Sequence, residues 1–189
     1  MRRVGVLALQ GDFREHARSL ARLGAEVIEV RTPEQLANLG ALVIPGGEST
    51  TIGRLAERGG LIEPLRTRIH QGMPVLGTCA GMIFLASATT DTVQAQLGVL
   101  DVIVERNAFG RQVDSFETDL VIEGLVDPVH AVFIRAPLVA KVGAEVEVLA
   151  RIDDRPVMVR QANLLATAFH PELTDDLRIH RQLLDLMEG

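Results

Sequence analysis

The sequence predicts an α/β protein of three layers, αβα, around a mostly parallel central sheet with an antiparallel extension. Three observations carry that expectation. In the first half, short apolar runs alternate with amphipathic stretches, the pattern of strands joined by helical crossovers. From about Gly98 the segments become short and rich in Val and Ile, with turn residues between them. Finally, 47% of the 189 residues are hydrophobic, enough to bury one sizeable core, so the economical organisation is a single domain over 1–189.

Taken in order, residues 4–10 read as a buried strand, and Asp12 is placed to cap a helix carrying Phe13, Ala17, Leu20 and Leu23 at helical spacing. Gly24 ends that helix. Residues 27–30 and 41–44 are the next strands. Pro45-Gly46-Gly47 breaks the second of them, and Ser49-Thr50-Thr51 offers caps for a following helix. A helix over 61–71 leads to the apolar run 73–78, and 80–88 is again helical in pattern. The segments 99–105, 116–122, 131–135, 145–151 and 156–159 suggest hairpins that widen the sheet. Residues 164–169 return as a buried strand, and 174–187 form a last amphipathic helix.

Composition removes several function classes. Lys and Arg number 19 against 25 Asp and Glu, a formal net charge of −6, with 3% aromatics and neither Trp nor Tyr. A nucleic-acid binder needs cations for phosphates and aromatic rings for bases, and both are scarce. No apolar segment approaches the roughly 20 residues of a membrane span. The single cysteine forms no intrachain disulfide and suits a reducing compartment, so a soluble cytoplasmic protein is expected. Lys141 is the only lysine, which excludes a phosphate loop of the Walker type.

The most informative local feature is Gly77-Thr78-Cys79-Ala80-Gly81 between a strand and a helix. It is the nucleophile elbow G-x-S-x-G with cysteine in place of serine. A sharp strand-to-helix turn strains the central residue, and side chains at the flanking glycines would collide with the turn. The helix start favours thiolate over thiol, and the Ala80 N–H is aimed at a developing oxyanion. A thiol nucleophile needs a base, and Phe169-His170-Pro171-Glu172 supplies one after another core strand. Residues two apart in an extended segment project to one side, so Glu172 can reach the His170 ring. A metal held by Cys79, His170 and Glu172 is the alternative, although the usual zinc spacings are absent. His16, His70 and His180 sit in helical stretches and read as solvated or partly packed, while His130 begins a strand without an evident partner.

A third strand-end loop, Pro45-Gly46-Gly47-Glu48-Ser49, can turn backbone N–H groups toward a ligand and add a second oxyanion donor at Gly46 or Gly47. Glu48 is available to a substrate ammonium, and a plain turn capped by Ser49 or Thr50 is the simpler reading of the same loop.

Six segments together resemble a known family. They are residues 6–12 (Val-Leu-Ala-Leu-Gln-Gly-Asp), 45–51, 77–82, Arg106 to Phe116, 133–137 (Phe-Ile-Arg-Ala-Pro) and 169–174. The chain resembles the triad-type (class I) glutamine amidotransferases, which are flavodoxin-like in fold. Within that group it is similar to the glutaminase subunits of two-component pyridoxal 5′-phosphate synthases. Ala80 and Met82 stand where many related amidotransferases carry Leu and Gln, which points to the vitamin B6 branch.

The resemblance implies Cys79 as nucleophile with His170 and Glu172 completing the triad, and glutamine contacts from Gly47, Glu48, Ser49, Arg106, Ile134 and Arg135. Arg106 or Arg135 would take the α-carboxylate, and Gln10 would brace the glycine loop. It implies hydrolysis of the L-glutamine side-chain amide without metal or organic cofactor. The ammonia would pass to a synthase partner, a ring-forming barrel protein, which joins it with ribose 5-phosphate and glyceraldehyde 3-phosphate. A cysteine hydrolase on the same fold, or an inactive module that only regulates its partner, shares the elbow and stays open at this point.

Overall fold

The computed structural model describes residues 2–91, 93–106 and 115–188. Along the chain these form β1 (Arg3–Leu7), α1 (Phe13–Arg22), β2 (Glu26–Val30), β3 (Ala41–Ile44), α2 (Ser49–Arg58) and α3 (Ile62–His70). Next come β4 (Val75–Thr78), α4 (Ala80–Leu85), β5 (Ala86–Thr89), β6 (Leu100–Glu105), β7 (Ser115–Leu120), β8 (Val129–Ile134) and β9 (Leu138–Val142). The chain then adds β10 (Glu147–Ile152), β11 (Arg155–Gln161), β12 (Leu164–Thr167) and α5 (Arg178–Asp185).

The principal sheet has seven strands in the order β10-β11-β12-β4-β3-β1-β2. Its five strands from β12 to β2 are parallel, and β11 and β10 continue it antiparallel. Strands β3, β4 and β12 are buried along their whole length, because helical crossovers leave neither face to water. Leu20 of α1, Leu65 of α3 and Leu183 of α5 are fully enclosed in the core. No helix among the described residues is long and apolar enough to cross a membrane.

Only the last hairpin, β10–β11, widens this sheet. Strands β5, β6 and β9 form a separate three-stranded sheet, and β7 and β8 form a two-stranded ribbon. Short Val-rich segments announce strands but carry no information about which sheet they join. The expected helix over 80–88 stops at Leu85, and Ala86–Thr89 pairs with β6 instead. The Phe84 and Leu85 carbonyls accept from the Leu97 and Val99 N–H groups at 2.7 and 3.0 Å, which takes two acceptors from a longer helix. The first strand ends at Leu7, releasing Gln10 and Asp12 into a loop. The final helix starts at Arg178, after a 3-10 turn over Pro171–Leu173.

The glycines of the elbow are fixed by close packing. A Cβ on Gly81 would lie 2.0 Å from the Ile44 carbonyl oxygen, and one on Gly77 would lie 2.8 Å from the Gly81 carbonyl oxygen. Both obstacles are backbone. Gly81→Ala is therefore expected to destabilise the fold by about 1–3 kcal/mol, as overpacking does. A lower urea midpoint at unchanged m-value checks it.

Candidate active site

Four neighbouring parallel strands, β12, β4, β3 and β1, deliver their carboxyl ends to one place, the usual site of ligand binding in an open α/β sheet. Gln10 and Asp12 follow β1, the loop 45–48 follows β3, Cys79 follows β4 and His170 follows β12. Hydrogen bonds tie these ends together. The Cys79 N–H donates to the Thr167 carbonyl at 2.8 Å and the Asp12 N–H to the Gly46 carbonyl at 3.1 Å, while the His170 N–H reaches the β7–β8 ribbon through the Val132 carbonyl at 2.8 Å.

Cys79 has φ 49° and ψ −104°, a strained conformation for a residue with a side chain. Its sulfur lies beside the His170 ring, close enough to perturb it, and 4.0 Å from the Ile134 carbonyl oxygen. On the other side of the ring, His170 Nδ1 donates to Glu172 Oε1 at 2.7 Å. All three residues are at least nine-tenths buried. Burial opposes protonation of His170, but the hydrogen bonds to Cys79 and Glu172 and the charges they carry outweigh it and raise its pKa to about 10. Burial raises the Glu172 pKa, and the hydrogen bond and charge of His170 offset part of that rise.

A cavity of about 420 Å³ opens over the sulfur. Gly47, Glu48, Ser49, Ala80, Arg106, Ile134 and Arg135 all line it, as do Gln10, Cys79 and His170. Glu172 lies behind the imidazole rather than on the wall, and Gly46 packs so close that a Cβ there would meet His170 Cε1 at 2.5 Å. Residues 107–114, part of the segment quoted above, lie outside the described residues. Among the described residues, one set of metal-ligating side chains comes together: Asp12, His170 and Glu172, with ligand atoms within 4.8 Å of one another. Cys79 is outside it, so the metal alternative built on the thiol does not describe this geometry.

The glycine loop is capped differently from the simple expectation. Glu48, not Ser49 or Thr50, is the N-cap of α2, its carboxylate accepting from the Thr50 and Thr51 N–H groups at 2.9 and 2.7 Å. Partial burial disfavours the charge, but these bonds and the Thr51 hydroxyl prevail and hold the pKa down at about 2. The Glu48 N–H donates to Gln10 Oε1 at 2.7 Å. Asp12, read as a helix cap, makes no capping bond with its side chain; its carboxylate lies 3.6 Å from His170 Nδ1 instead.

Several residues at the site were not legible in the sequence. Gln94 Oε1 accepts from Ser49 Oγ, Thr50 Oγ1 and Arg106 Nη1, each at 3.3 Å, joining the start of α2 to the end of β6. Gln94 sits in an irregular stretch with no pattern to mark it. Ile83 of α4 also reaches the cavity. His16 and His180, read as solvated or partly packed, are fully buried and bonded to each other, whereas His70 is exposed. His130 does have partners, Asp119 and Glu117, across the β7–β8 ribbon.

The same layered sheet recurs in the structure of PurLQS from Thermotoga maritima, with TM-score 0.73 and 16% identity over 97% of each chain, a likeness of fold alone. A solved glutamine amidotransferase superposes with TM-score 0.95 at 56% identity, covering 98% of this chain and 99% of that one. The architecture is that of the class I glutamine amidotransferases. The chain belongs to the SNO glutamine amidotransferase family, whose profile matches residues 6–188. Among curated relatives, the pyridoxal 5′-phosphate synthase subunit PdxT of Parafrankia sp. strain EAN1pec is 61% identical over 99% of this chain and 94% of its own length.

The electrostatics make a direct prediction. Removing either partner of the imidazolium, by Cys79→Ala or Glu172→Gln, should lower the His170 pKa from about 10. An NMR titration of the ring protons checks this, and an unshifted curve in Glu172→Gln would show that the carboxylate does not hold the proton.

Proposed function

We propose that this chain is the glutaminase subunit of a pyridoxal 5′-phosphate synthase, hydrolysing L-glutamine to L-glutamate and ammonia. The observation that carries the reading is the His170 ring, which shares the wall of a cavity of about 420 Å³ with the Cys79 sulfur and is hydrogen-bonded to Glu172 on its other side. Thiolate, imidazolium and carboxylate are thereby brought together where a small amide has room to bind.

In this mechanism the Cys79 thiolate attacks the side-chain amide carbon, and N–H groups of Ala80 and of the Gly46-Gly47 loop stabilise the oxyanion. His170 gives its proton to the departing nitrogen, and ammonia leaves a thioester on Sγ. Water, deprotonated by the same imidazole, adds to the thioester; collapse expels the Cys79 thiolate beside the restored imidazolium, and the new γ-carboxyl gives its proton to solvent as glutamate leaves. Glu172 holds the ring by Nδ1 throughout. Arg106 or Arg135 takes the α-carboxylate, and Glu48 and Ser49 serve the α-amino end together with the carbonyl of Ile134. Gln10 steadies the loop through the Glu48 N–H. The scheme needs no metal or organic cofactor.

The partner in this reading is the synthase subunit, a ring-forming barrel that consumes the ammonia; neither nucleic acid nor membrane takes part. A thiolate nucleophile with no disulfide in the chain suits the reducing cytoplasm. Ammonia made without an acceptor is wasted, so docking of the synthase is expected to complete the oxyanion hole through the glycine loop.

Glutamine-dependent ammonia release, measured with and without the synthase, tests both parts. Cys79→Ala should reduce kcat by about 10⁴-fold or more while leaving partner affinity within about twofold. Retained turnover removes Cys79 from its role, and full activity of the isolated chain removes the gating.

A further inference from the structure

The carboxylate of Glu172 has two oxygens, and only Oε1 serves His170. Oε2 is enclosed and makes no well-aligned hydrogen bond; the polar atom it faces is Nε2 of His16, at 3.3 Å. That same nitrogen lies 3.0 Å from the Thr78 hydroxyl, next in sequence to the nucleophile. His16 Nδ1 in turn lies 2.9 Å from Nε2 of His180. Both histidines are fully buried, one on α1 and one on α5, at opposite ends of the chain. An enclosed histidine pair is a costly way to fill a core, and the glutaminase chemistry described above uses neither ring.

The protons can be placed by elimination. If His16 carried its proton on Nδ1, that proton would go to His180 Nε2, and the His16 Nε2 lone pair would face the Glu172 carboxylate. His180 would then hold its proton on Nδ1, a buried atom without a partner. Orphaned buried N–H groups are rarer than orphaned acceptors, and two lone pairs 3.3 Å apart repel. The opposite tautomers remove both faults.

We infer that His16 and His180 are positioning residues that extend the line Cys79–His170–Glu172 to five members. His180 donates Nε2–H to His16 Nδ1, which fixes the His16 proton on Nε2, between Thr78 Oγ1 and Glu172 Oε2. There it orients the carboxylate and keeps it ionised, so that Oε1 stays in line with the imidazolium. The inference rests on the glutaminase reading for its kinetic consequences, while the tautomer stands on geometry alone. Burial, together with the charges of His180 and His170, lowers the His16 pKa well below its ordinary value, and burial lowers that of His180 to about 4. Both rings are accordingly neutral near pH 7 and act as dipoles, adding no charge to compete with His170.

The groups facing Glu172 are His170, Asp12 in the loop before α1, His16 from α1 and, beyond it, His180 from α5. Glu15, Arg18 and Arg22 of α1 and Asp175 line an open cavity at its outer edge, where solvent screens them. The full chain, assembled with its synthase, is assayed for ammonia release across pH in wild type, His16→Phe and His16→Gln. His16→Phe fills the space without a donor. It should lower kcat about ten- to a hundredfold with KM within about twofold. Loss of the donor makes ionised Glu172 costlier, so the acid limb of kcat/KM moves to higher pH. A carboxylate that protonates more readily supports the imidazolium less, so the alkaline limb moves to lower pH. His16→Gln, which keeps an N–H near the Nε2 position, should recover most of kcat and restore both limbs.

Nitrogen-15 correlation spectra of histidine-labelled wild type decide the tautomer without any variant. A His16 proton on Nε2 supports the inference and one on Nδ1 overturns it, even if His16→Phe fails to fold. Unshifted limbs in a folded, active His16→Phe also overturn it. Wild-type enzyme that releases no ammonia from glutamine overturns the glutaminase reading instead, with the tautomer still readable.

Discussion

Cys79 at φ 49° is the constraint on which the site depends. Such a conformation costs a residue with a side chain about 1–3 kcal/mol and persists only where the surroundings over-determine it. Here three strands do so. The Cys79 N–H is taken by Thr167 at the end of β12, Gly81 presses on the Ile44 carbonyl at the end of β3, and Gly77 in β4 leaves room for Gly81 itself. The strain is thus spread over the most deeply buried part of the sheet. The sulfur is fixed before any ligand arrives, and positioning of that kind lowers the entropic cost of reaction.

Around this point, like groups are given different proton affinities by their surroundings. His170 is driven up to about 10 by its thiol and carboxylate partners, and burial drives His180, on the helix behind, down to about 4. Glu172 is raised by enclosure, while Glu48, only partly enclosed and bonded to the start of α2, is lowered to about 2. The two histidines are thus displaced in opposite directions from their ordinary value, and so are the two glutamates. Such a spread of environments is how one fold keeps a proton donor and a fixed negative charge side by side at neutral pH.

Much of this was legible in the sequence because its signals are local. The Gly77-Thr78-Cys79-Ala80-Gly81 spacing is a steric statement about one turn, and His170 and Glu172 lie two residues apart on one segment. The parallel half of the sheet follows from the alternation of apolar and amphipathic stretches. What was hidden depends on long-range contacts. His16 and His180 meet across 164 residues, and each alone reads as a polar residue on an amphipathic helix. Gln94 gathers Ser49 and Thr50 from one segment and Arg106 from another, and nothing beside it in the sequence says so. The termination of α4 at Leu85 likewise depends on carbonyl partners from a distant stretch.

The line of bonded side chains runs from α1 through the elbow to α5, so its members are drawn from residues 12–16, 78–79 and 170–180. During synthesis the thiol emerges from the ribosome some ninety residues ahead of the ring that accepts its proton. A nascent chain can form the sheet edge around β1, β2 and β3, yet its cysteine has neither base nor acid until translation has passed residue 172. Unfinished chains therefore lack the assembled triad, a consequence of the order of these residues along the chain.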